Sequence, residues 1–261
     1  MRQLLNYHFK SLFTPLKCLL CVVIFLLNGI ISYYRYGTPS TSLIKNIVFI
    51  FYMPIDSQID LLRCLLVTGS LIIIVGYFLD SEFNKRIIYT LLRAKSVKTY
   101  FKSLILAIWI FIGLILLAGY IVTIIVGSFV PLIKTSDFTS VFPFFYQTDK
   151  WLLIFHQFCL LVLFFILLST LFLLLILITN NLSLSLLTLV TMLLASIWIS
   201  FANIGMTSYI PLVYGLLIFK ELSKYPLYFC YIGLICVLCL VTLITYKIFL
   251  IKYEKIFINK N

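Results

Sequence analysis

The one long charged stretch between two very apolar runs of this sequence is DSEFNKRIIYTLLRAKSVKTYFK, residues Asp80–Lys102. Its first half divides into two helical faces, which predicts an amphipathic helix. The apolar face comprises Phe83, Ile87, Ile88, Leu91 and Leu92, and the opposite face comprises Glu82, Lys85, Arg86, Tyr89 and Arg93. Asp80 or Ser81 is placed to cap the start. The pattern predicts a short helix at a membrane surface, whereas an ordinary basic loop explains the charge but not the two faces.

The composition around this stretch is that of a membrane protein. The 261 residues are 63% hydrophobic and only 11% charged, with a mean hydropathy of +1.17; ordinary soluble domains have about 25% charged residues. Several apolar runs reach the roughly 20 residues that a helix needs to cross a bilayer. We therefore expect an all-α integral membrane protein with residues 1–261 forming a single transmembrane domain.

The net charge of +12 does not indicate nucleic acid binding. The basic residues flank apolar runs, where they set the orientation in the membrane and meet anionic lipid. The seven cysteines include two C-x-x-C pairs, Cys18/Cys21 and Cys236/Cys239. In a soluble protein such pairs favour metal or redox chemistry, but inside apolar runs without a nearby histidine we interpret them as small apolar side chains. No metal site is expected.

Six membrane spans are predicted, preceded by an interfacial amphipathic helix at residues 1–17. Pro15 marks the bend into the first span. The spans are Leu16–Tyr34, Leu61–Leu79, Ser103–Val130, Trp151–Ile178, Leu184–Ser200 and Leu227–Leu250. The stretch at residues 80–102 is then the loop between the second and third spans, and residues 179–183 form a tight turn.

Charge predicts the orientation of these spans. Six spans put both termini on one side, and that side carries thirteen of the 20 lysines and arginines, against seven on the other. Cytoplasmic segments of membrane proteins are enriched in basic residues. We therefore expect a multi-pass protein of the plasma membrane with both termini and residues 80–102 in the cytoplasm.

Residues 201–226, between the fifth and sixth spans, are apolar but interrupted by Gly205, Pro211, Gly215 and Pro226. The two short apolar pieces predict half-helices that re-enter the membrane from outside, at a subunit interface or an exit mouth. A plain surface loop is the alternative.

Residues suited to catalysis are scarce in the predicted spans. The two histidines are His8 and His156, and the sequence contains no H-E-x-x-H motif, paired aspartates or phosphate-binding loop. This favours a protein that is not an enzyme. No carboxylate lies deep in a predicted span, which also disfavours an ion-coupled transporter, so any transport would take its energy from another subunit.

The order of these parts resembles one family, the permease subunits of ABC exporters of the type-2 membrane fold. The resemblance lies in the interfacial helix, the six spans, a cytoplasmic coupling helix after the second span, and external half-helices before the sixth. The matching residues are Glu82, Leu91–Leu92, Ala94–Lys95–Ser96 and Lys102. Two features of the family pattern are absent: a glycine after the acidic residue, and a proline at the junction, where Ala94 or Lys95 stands.

The resemblance implies a partner and a mechanism. A separate P-loop ATPase would carry ATP and Mg²⁺, so no cofactor is expected on this chain, and a second permease, identical or related, would complete the pathway. Phe83, Ile87 and Leu91 would press into a groove of the ATPase, while Glu82, Arg86 and Arg93 would pair at its rim. Gly205, Pro211 and Gly215 would belong to the exit segment.

The apolar spans favour a hydrophobic or amphipathic substrate, such as a peptide, a bacteriocin or a drug-like molecule. Two other classes stay open at this point. One is a membrane immunity or assembly protein that transports nothing, and the other is an intramembrane enzyme that uses His156.

Overall fold

The computed structural model describes residues 2–36, 58–94, 96–129, 149–202, 210, 212, 215 and 226–254. Each secondary-structure element within them is helical. The helices are α1 Arg2–Leu12, α2 Pro15–Tyr36, α3 Gln58–Ser81, α4 Ile87–Arg93, α5 Val97–Phe129, α6 Lys150–Thr179, α7 Leu182–Ala202 and α8 Leu227–Tyr253, with a π-helical turn Glu82–Arg86 between α3 and α4. Among the described residues, five helical segments are long and apolar enough to cross a membrane, or six if the bent pair α1–α2 is one span. This agrees with the predicted all-α, multi-pass membrane protein.

The N-terminal helix is shorter than predicted and sharply bent against the next one. α1 ends at Leu12 rather than Lys17, and α2 starts at Pro15, which suits the first turn of a helix because proline lacks an N–H. The two helices meet at 57°. The Lys17 ammonium donates a 2.8 Å hydrogen bond back to the Ser11 carbonyl, which satisfies an end carbonyl of α1 and stabilises the bend. The predicted bend at Pro15 is confirmed.

The long helices α5 and α6 form the centre of the bundle. α5 contacts α1, α2, α6 and α8, while α6 contacts α3, α7 and α8. Their large side chains, such as Phe111, Phe164 and Phe172, are fully buried. Gly119 of α5 lies directly against the Phe25 ring of α2, since a small residue at a crossing lets two helices approach closely.

The outer helices α7 and α8 leave most of their apolar surface uncovered. In the most apolar stretch of each of these two helices only 22% is buried, against 61% in the corresponding stretch of α6. Trp198 on α7 and Ile251 on α8 are both more than 70% exposed. Apolar surface of this extent is suited to lipid or to another apolar protein surface.

The predicted tight turn between α6 and α7 is confirmed at residues 180–181. Asn180 adopts the left-handed conformation, with φ of 54°, which asparagine tolerates better than most residues. The Asn181 side chain then accepts a 3.1 Å hydrogen bond from the Leu184 amide at the start of α7. Lys252 of α8 donates to the Leu177 carbonyl at 3.0 Å and to the Asn180 side chain, which ties the end of α8 to this turn.

Candidate functional site: the junction between α3 and α5

The charged stretch after α3 continues the helix instead of starting a new one. The chain stays helical from Gln58 to Arg93, passing through the π turn. Ser81 has helical dihedral angles, φ of −60° and ψ of −38°, and makes no capping hydrogen bond. The prediction of a separate helix capped by Asp80 or Ser81 is therefore wrong. The chain reverses only beyond Arg93, where Ser96 accepts a 3.1 Å hydrogen bond from the Thr99 amide and so caps α5.

The π turn sets which side chains face inward. From Phe78 onward, the buried residues along this helix are, in order, Phe78, Leu79, Glu82, Ile87, Thr90, Leu91 and Ala94. Buried positions recur every three or four residues except between Glu82 and Ile87, which are five apart. A π turn adds one residue to a helical turn, and here the added residue moves Arg86 to the exposed side and Ile87 to the buried side. The turn thus lets a helix with Arg86 in its sequence continue along an apolar core.

Glu82 lies at the centre of a buried polar cluster that joins four parts of the chain. Its side chain is fully buried. Atom Oε1 accepts hydrogen bonds of 2.9 Å from the Thr90 hydroxyl of α4 and from the Tyr100 hydroxyl of α5. His8 of α1 places Nδ1 3.9 Å from the same oxygen. Atom Oε2 has no hydrogen-bond partner among the described residues.

His8 occupies an aromatic pocket beside this carboxyl group. Its ring meets Phe78 and Tyr100 edge to face, with centroids 6.0 and 5.4 Å apart. Neither ring nitrogen has a hydrogen-bond partner among the described residues. Burial lowers the pKa of His8 to about 4, because charging the ring in this environment removes it from water at a cost. His8 is therefore neutral at pH 7, and its approach to Glu82 is a contact with an uncharged ring.

An aromatic cluster attaches the π turn to the last helix. The Phe83 ring lies 6.2 Å from both Phe249 and Tyr253 of α8, between ring centroids. Phe249 in turn stacks on Tyr100 of α5 at 5.7 Å, with the ring planes 10° apart. Aromatic pairs at these separations contribute beyond the area that they bury. The junction is thus fixed to α5 and α8 from inside.

These contacts correct the predicted roles of four residues. Phe83, Ile87 and Leu91 were expected to enter a groove of a partner, but Ile87 and Leu91 are buried in this chain's own core and Phe83 packs against α8. Glu82 was expected to pair at the rim of that groove, but it is buried and bonded to Thr90 and Tyr100. Glu82, Ile87 and Leu91 are therefore not exposed to another protein, and Phe83 is half-buried against α8.

The exposed side of the junction carries a different set of residues. Ile88, Tyr89 and Leu92 are 57%, 72% and 36% exposed. Their exposed basic neighbours are Lys85, Arg86 and Arg93. We call these six residues the outer face. Arg86 and Arg93 therefore keep the exposed position predicted for them, and Arg86 also donates a 3.2 Å hydrogen bond to the Ser11 hydroxyl of α1.

The predicted re-entrant segment is described only at residues 210, 212 and 215. Gly205 and Pro211 lie outside the described residues. Gly215 is buried, and a Cβ atom added to it would lie 2.2 Å from Cβ of Phe164. Phe164 stands halfway along α6, so this part of the chain contacts the middle of the bundle. Ile210 and Leu212 also pack against the core.

The second histidine joins two helices. His156 Nδ1 lies 3.0 Å from the Tyr231 hydroxyl of α8, and that hydroxyl lies 3.2 Å from the His156 carbonyl. The His156 side chain therefore has a hydrogen-bond partner within the bundle. Within the part of the chain that the structure describes, no group of three or more histidine, cysteine, aspartate or glutamate side chains is placed to hold a metal ion.

Sequence reasoning missed the buried cluster because its members are distant along the chain. His8 and Glu82 are 74 positions apart, and Tyr100 lies beyond the reversal at Ala94. One signal was available: Glu82 and Thr90 stand eight residues apart, a spacing that puts them near the same side of the helix once the π turn is allowed for.

The fold and this junction are those of a polytopic helical membrane protein with a basic junction at one end of its bundle. No protein-family model, curated protein or solved structure matches the chain.

Proposed function

We propose that this chain is the membrane subunit of an ATP-driven exporter and that a separate P-loop ATPase docks on the outer face. The ATPase carries the ATP and Mg²⁺. A second permease, either another copy or a related chain, completes the pathway, and both termini lie in the cytoplasm. The substrate is a hydrophobic or amphipathic molecule such as a peptide or bacteriocin.

The observation that carries this proposal is the two-sided construction of the junction. Its inner side is held by the Glu82 cluster and by the contacts of Phe83 with α8. Its outer side presents three exposed apolar residues among three cations, a composition suited to a protein partner with an apolar groove and an acidic rim. A force applied to the outer face passes directly into α3, because no break separates them.

Two further features support the same function. The uncovered apolar surfaces of α7 and α8 are suited to a second permease within a membrane. The contact of Gly215 with the middle of α6 supports a segment that re-enters the bundle, as expected for an exit mouth.

The test is co-purification from the native host with variants matched to the structure. Ile88→Asp/Leu92→Asp places two charges on the outer face without touching the core. We expect the unmodified protein to recover a P-loop ATPase in about equal amount, and this variant to lose it at least about tenfold. Leu16→Asp is the control, because Leu16 is exposed at the first turn of α2 and lies outside the outer face.

Two results would contradict the proposal. If the protein is recovered alone under conditions that preserve other membrane complexes, it is an immunity or assembly protein. If the ATPase stays bound to Ile88→Asp/Leu92→Asp, the outer face is not its docking site. Aspartate at Ile87 or Leu91 is not informative, since both residues are buried and the variant would fail to fold.

A further inference from the structure

A groove opens between α5 and α8. Its volume is about 370 Å³, and it is lined from α5 by Lys98, Phe101, Lys102, Ile105 and Trp109, among others, and from α8 by Leu243 and Tyr246. Apart from the two lysines, the lining is almost entirely apolar. The groove is independent of the ATPase proposal, because none of its residues belongs to the outer face.

The charge in the groove is confined to one end. Lys98 and Lys102 are four residues apart and therefore lie on one face of α5. Both are exposed, and neither forms a hydrogen bond or ion pair with another described residue. From Lys98 to Trp109 the helix rises about 16 Å, roughly half of the hydrocarbon thickness of a bilayer. The groove thus runs from a cationic mouth to an apolar floor.

One polar group lies further into the groove. Thr242 lines it one helical turn from Tyr246, and its buried hydroxyl has no hydrogen-bond partner among the described residues. An unpaired buried hydroxyl is costly, and rotation of the Thr242 side chain toward the groove would let a ligand oxygen satisfy it. The order from mouth to floor is therefore two cations, one hydrogen-bond donor and apolar side chains.

We propose that this groove binds an anionic phospholipid. The order of groups in such a lipid is the same: a phosphate, then ester oxygens, then acyl chains. The phosphate meets Lys98 and Lys102, an ester oxygen lies near Thr242, and an acyl chain extends along Ile105 and Leu243 to Trp109. A zwitterionic lipid has the same chains but carries a cation that the two lysines repel.

The experiment uses Trp109 as the reporter. The chain has three tryptophans, and Trp151→Phe/Trp198→Phe leaves Trp109 as the only one. The full-length protein is placed in phosphatidylcholine vesicles that contain a small fraction of brominated phosphatidylglycerol or of brominated phosphatidylcholine, whose bromine atoms quench tryptophan on contact. We expect the anionic lipid to quench Trp109 at about one tenth of the fraction that the zwitterionic lipid requires.

Two variants in the same background assign the preference to the groove. In Lys98→Gln/Lys102→Gln we expect the two lipids to quench equally. Lys85→Gln/Lys247→Gln removes the same charge from exposed positions outside the groove, and we expect it to keep the tenfold preference. Trp109→Phe leaves Trp151 and Trp198, which are 63% and 76% exposed; these should show no preference.

Three results would overturn the proposal. One is equal quenching of Trp109 by the two lipids, and another is no quenching by either, which would mean that the groove excludes lipid. The third is a preference that survives Lys98→Gln/Lys102→Gln, because the anionic lipid would then be attracted by the protein surface as a whole.

Discussion

At the residue scale, Gly215 is a position where close packing leaves no space for a Cβ atom. The added Cβ of an alanine would meet Cβ of Phe164 at 2.2 Å, so one of the two backbones must move. Truncating the Phe164 ring does not relieve the contact, because the nearest atom is its Cβ. The close approach requires glycine at this position.

We predict that Gly215→Ala destabilises the protein by about 1–3 kcal/mol, the range for overpacking a core. The measurement is unfolding by heat or SDS in detergent micelles. Gly113→Ala in α5 is the matched control, since nothing lies within 4 Å of its added Cβ, and alanine in a helix is favoured over glycine by up to about 1 kcal/mol. Equal effects of the two substitutions would show that Gly215 does not contact α6.

His8 gives a prediction on pH. Burial lowers its pKa to about 4, below the usual 6.5 of an unfolded chain, so as pH falls the unfolded state binds a proton that the folded state does not. The contribution of neutral His8 to the free energy of unfolding is therefore fully present above pH 6.5 and is lost progressively as pH falls toward 4. We expect a loss of about 2 kcal/mol between pH 7.5 and pH 5.

The comparison with His8→Phe isolates this effect, because phenylalanine fills the aromatic pocket between Phe78 and Tyr100 without titrating. Other groups titrate alike in both proteins, so the difference in unfolding free energy should move by about 2 kcal/mol in favour of the variant from pH 7.5 to pH 5. A difference that is independent of pH would mean that folding does not shift the pKa of His8, and a difference that moves in favour of the unmodified protein would mean that His8 is protonated in the folded protein and pairs with Glu82.

At the element scale, the π turn explains both a success and a failure of the sequence analysis. Helical periodicity correctly predicts that residues 81–93 are helical, but Ile88 and Leu92 of the predicted apolar face are exposed. It does not tell whether the apolar face meets a partner or the chain's own core, and a strict period puts Glu82 on the polar face. The extra residue of the π turn, which composition does not reveal, puts Glu82 among the buried residues and Arg86 outside.

We predict that deleting Lys85 is tolerated. The deletion shortens the Glu82–Ile87 separation from five to four, which is the spacing of an ordinary α-helix, so every buried residue after it keeps its side. Lys85 is exposed, and its side chain forms no hydrogen bond with another described residue. We expect expression and melting temperature in detergent close to those of the unmodified protein.

Deleting Ile73 is the matched control for this prediction. Ile73 is 41% exposed, so little packing is lost directly. Its deletion rotates the part of α3 after position 73 by about 100° relative to the part before it. The buried side chains of the two parts would then face different directions, which should prevent folding. If the two deletions behave alike, the π turn does not hold the register of the buried face.

At the scale of the whole molecule, the bundle was largely predictable and the junction was not. The apolar runs that predict spans four, five and six correspond to α6, α7 and α8 within a few residues, because each run is long and ends at polar residues. α5, by contrast, starts at Val97 rather than Ser103, so Lys98 and Lys102 belong to the helix. Contacts between distant residues, such as His8 with Glu82 and Gly215 with Phe164, leave no periodic pattern that a single sequence displays.

The orientation in the membrane depends on the same charged stretch. Thirteen basic residues are expected on the cytoplasmic side and seven on the other. One variant replaces the six basic residues of the junction by glutamine: Lys85, Arg86, Arg93, Lys95, Lys98 and Lys102. It reduces the number of basic residues on the cytoplasmic side from thirteen to seven, so that the two sides carry equal numbers. We predict that this variant inserts in both orientations, because the difference in basic residues is what directs insertion.

The side on which the C-terminus lies is measured with two reporter proteins, each fused after Asn261. One reporter is active only in the cytoplasm, and the other is active only outside the cell. The unmodified chain should give the cytoplasmic signal alone, and the six-residue variant should give both. Glutamine at Lys134, Lys150, Lys220 and Lys224 is the control, since it lowers the other side from seven to three and should leave the orientation unchanged. A purely cytoplasmic signal from the six-residue variant would mean that the apolar helices orient the chain without the junction. The basic residues there would then have to be explained by the two proposed binding roles, to an ATPase on the outer face and to lipid at Lys98 and Lys102.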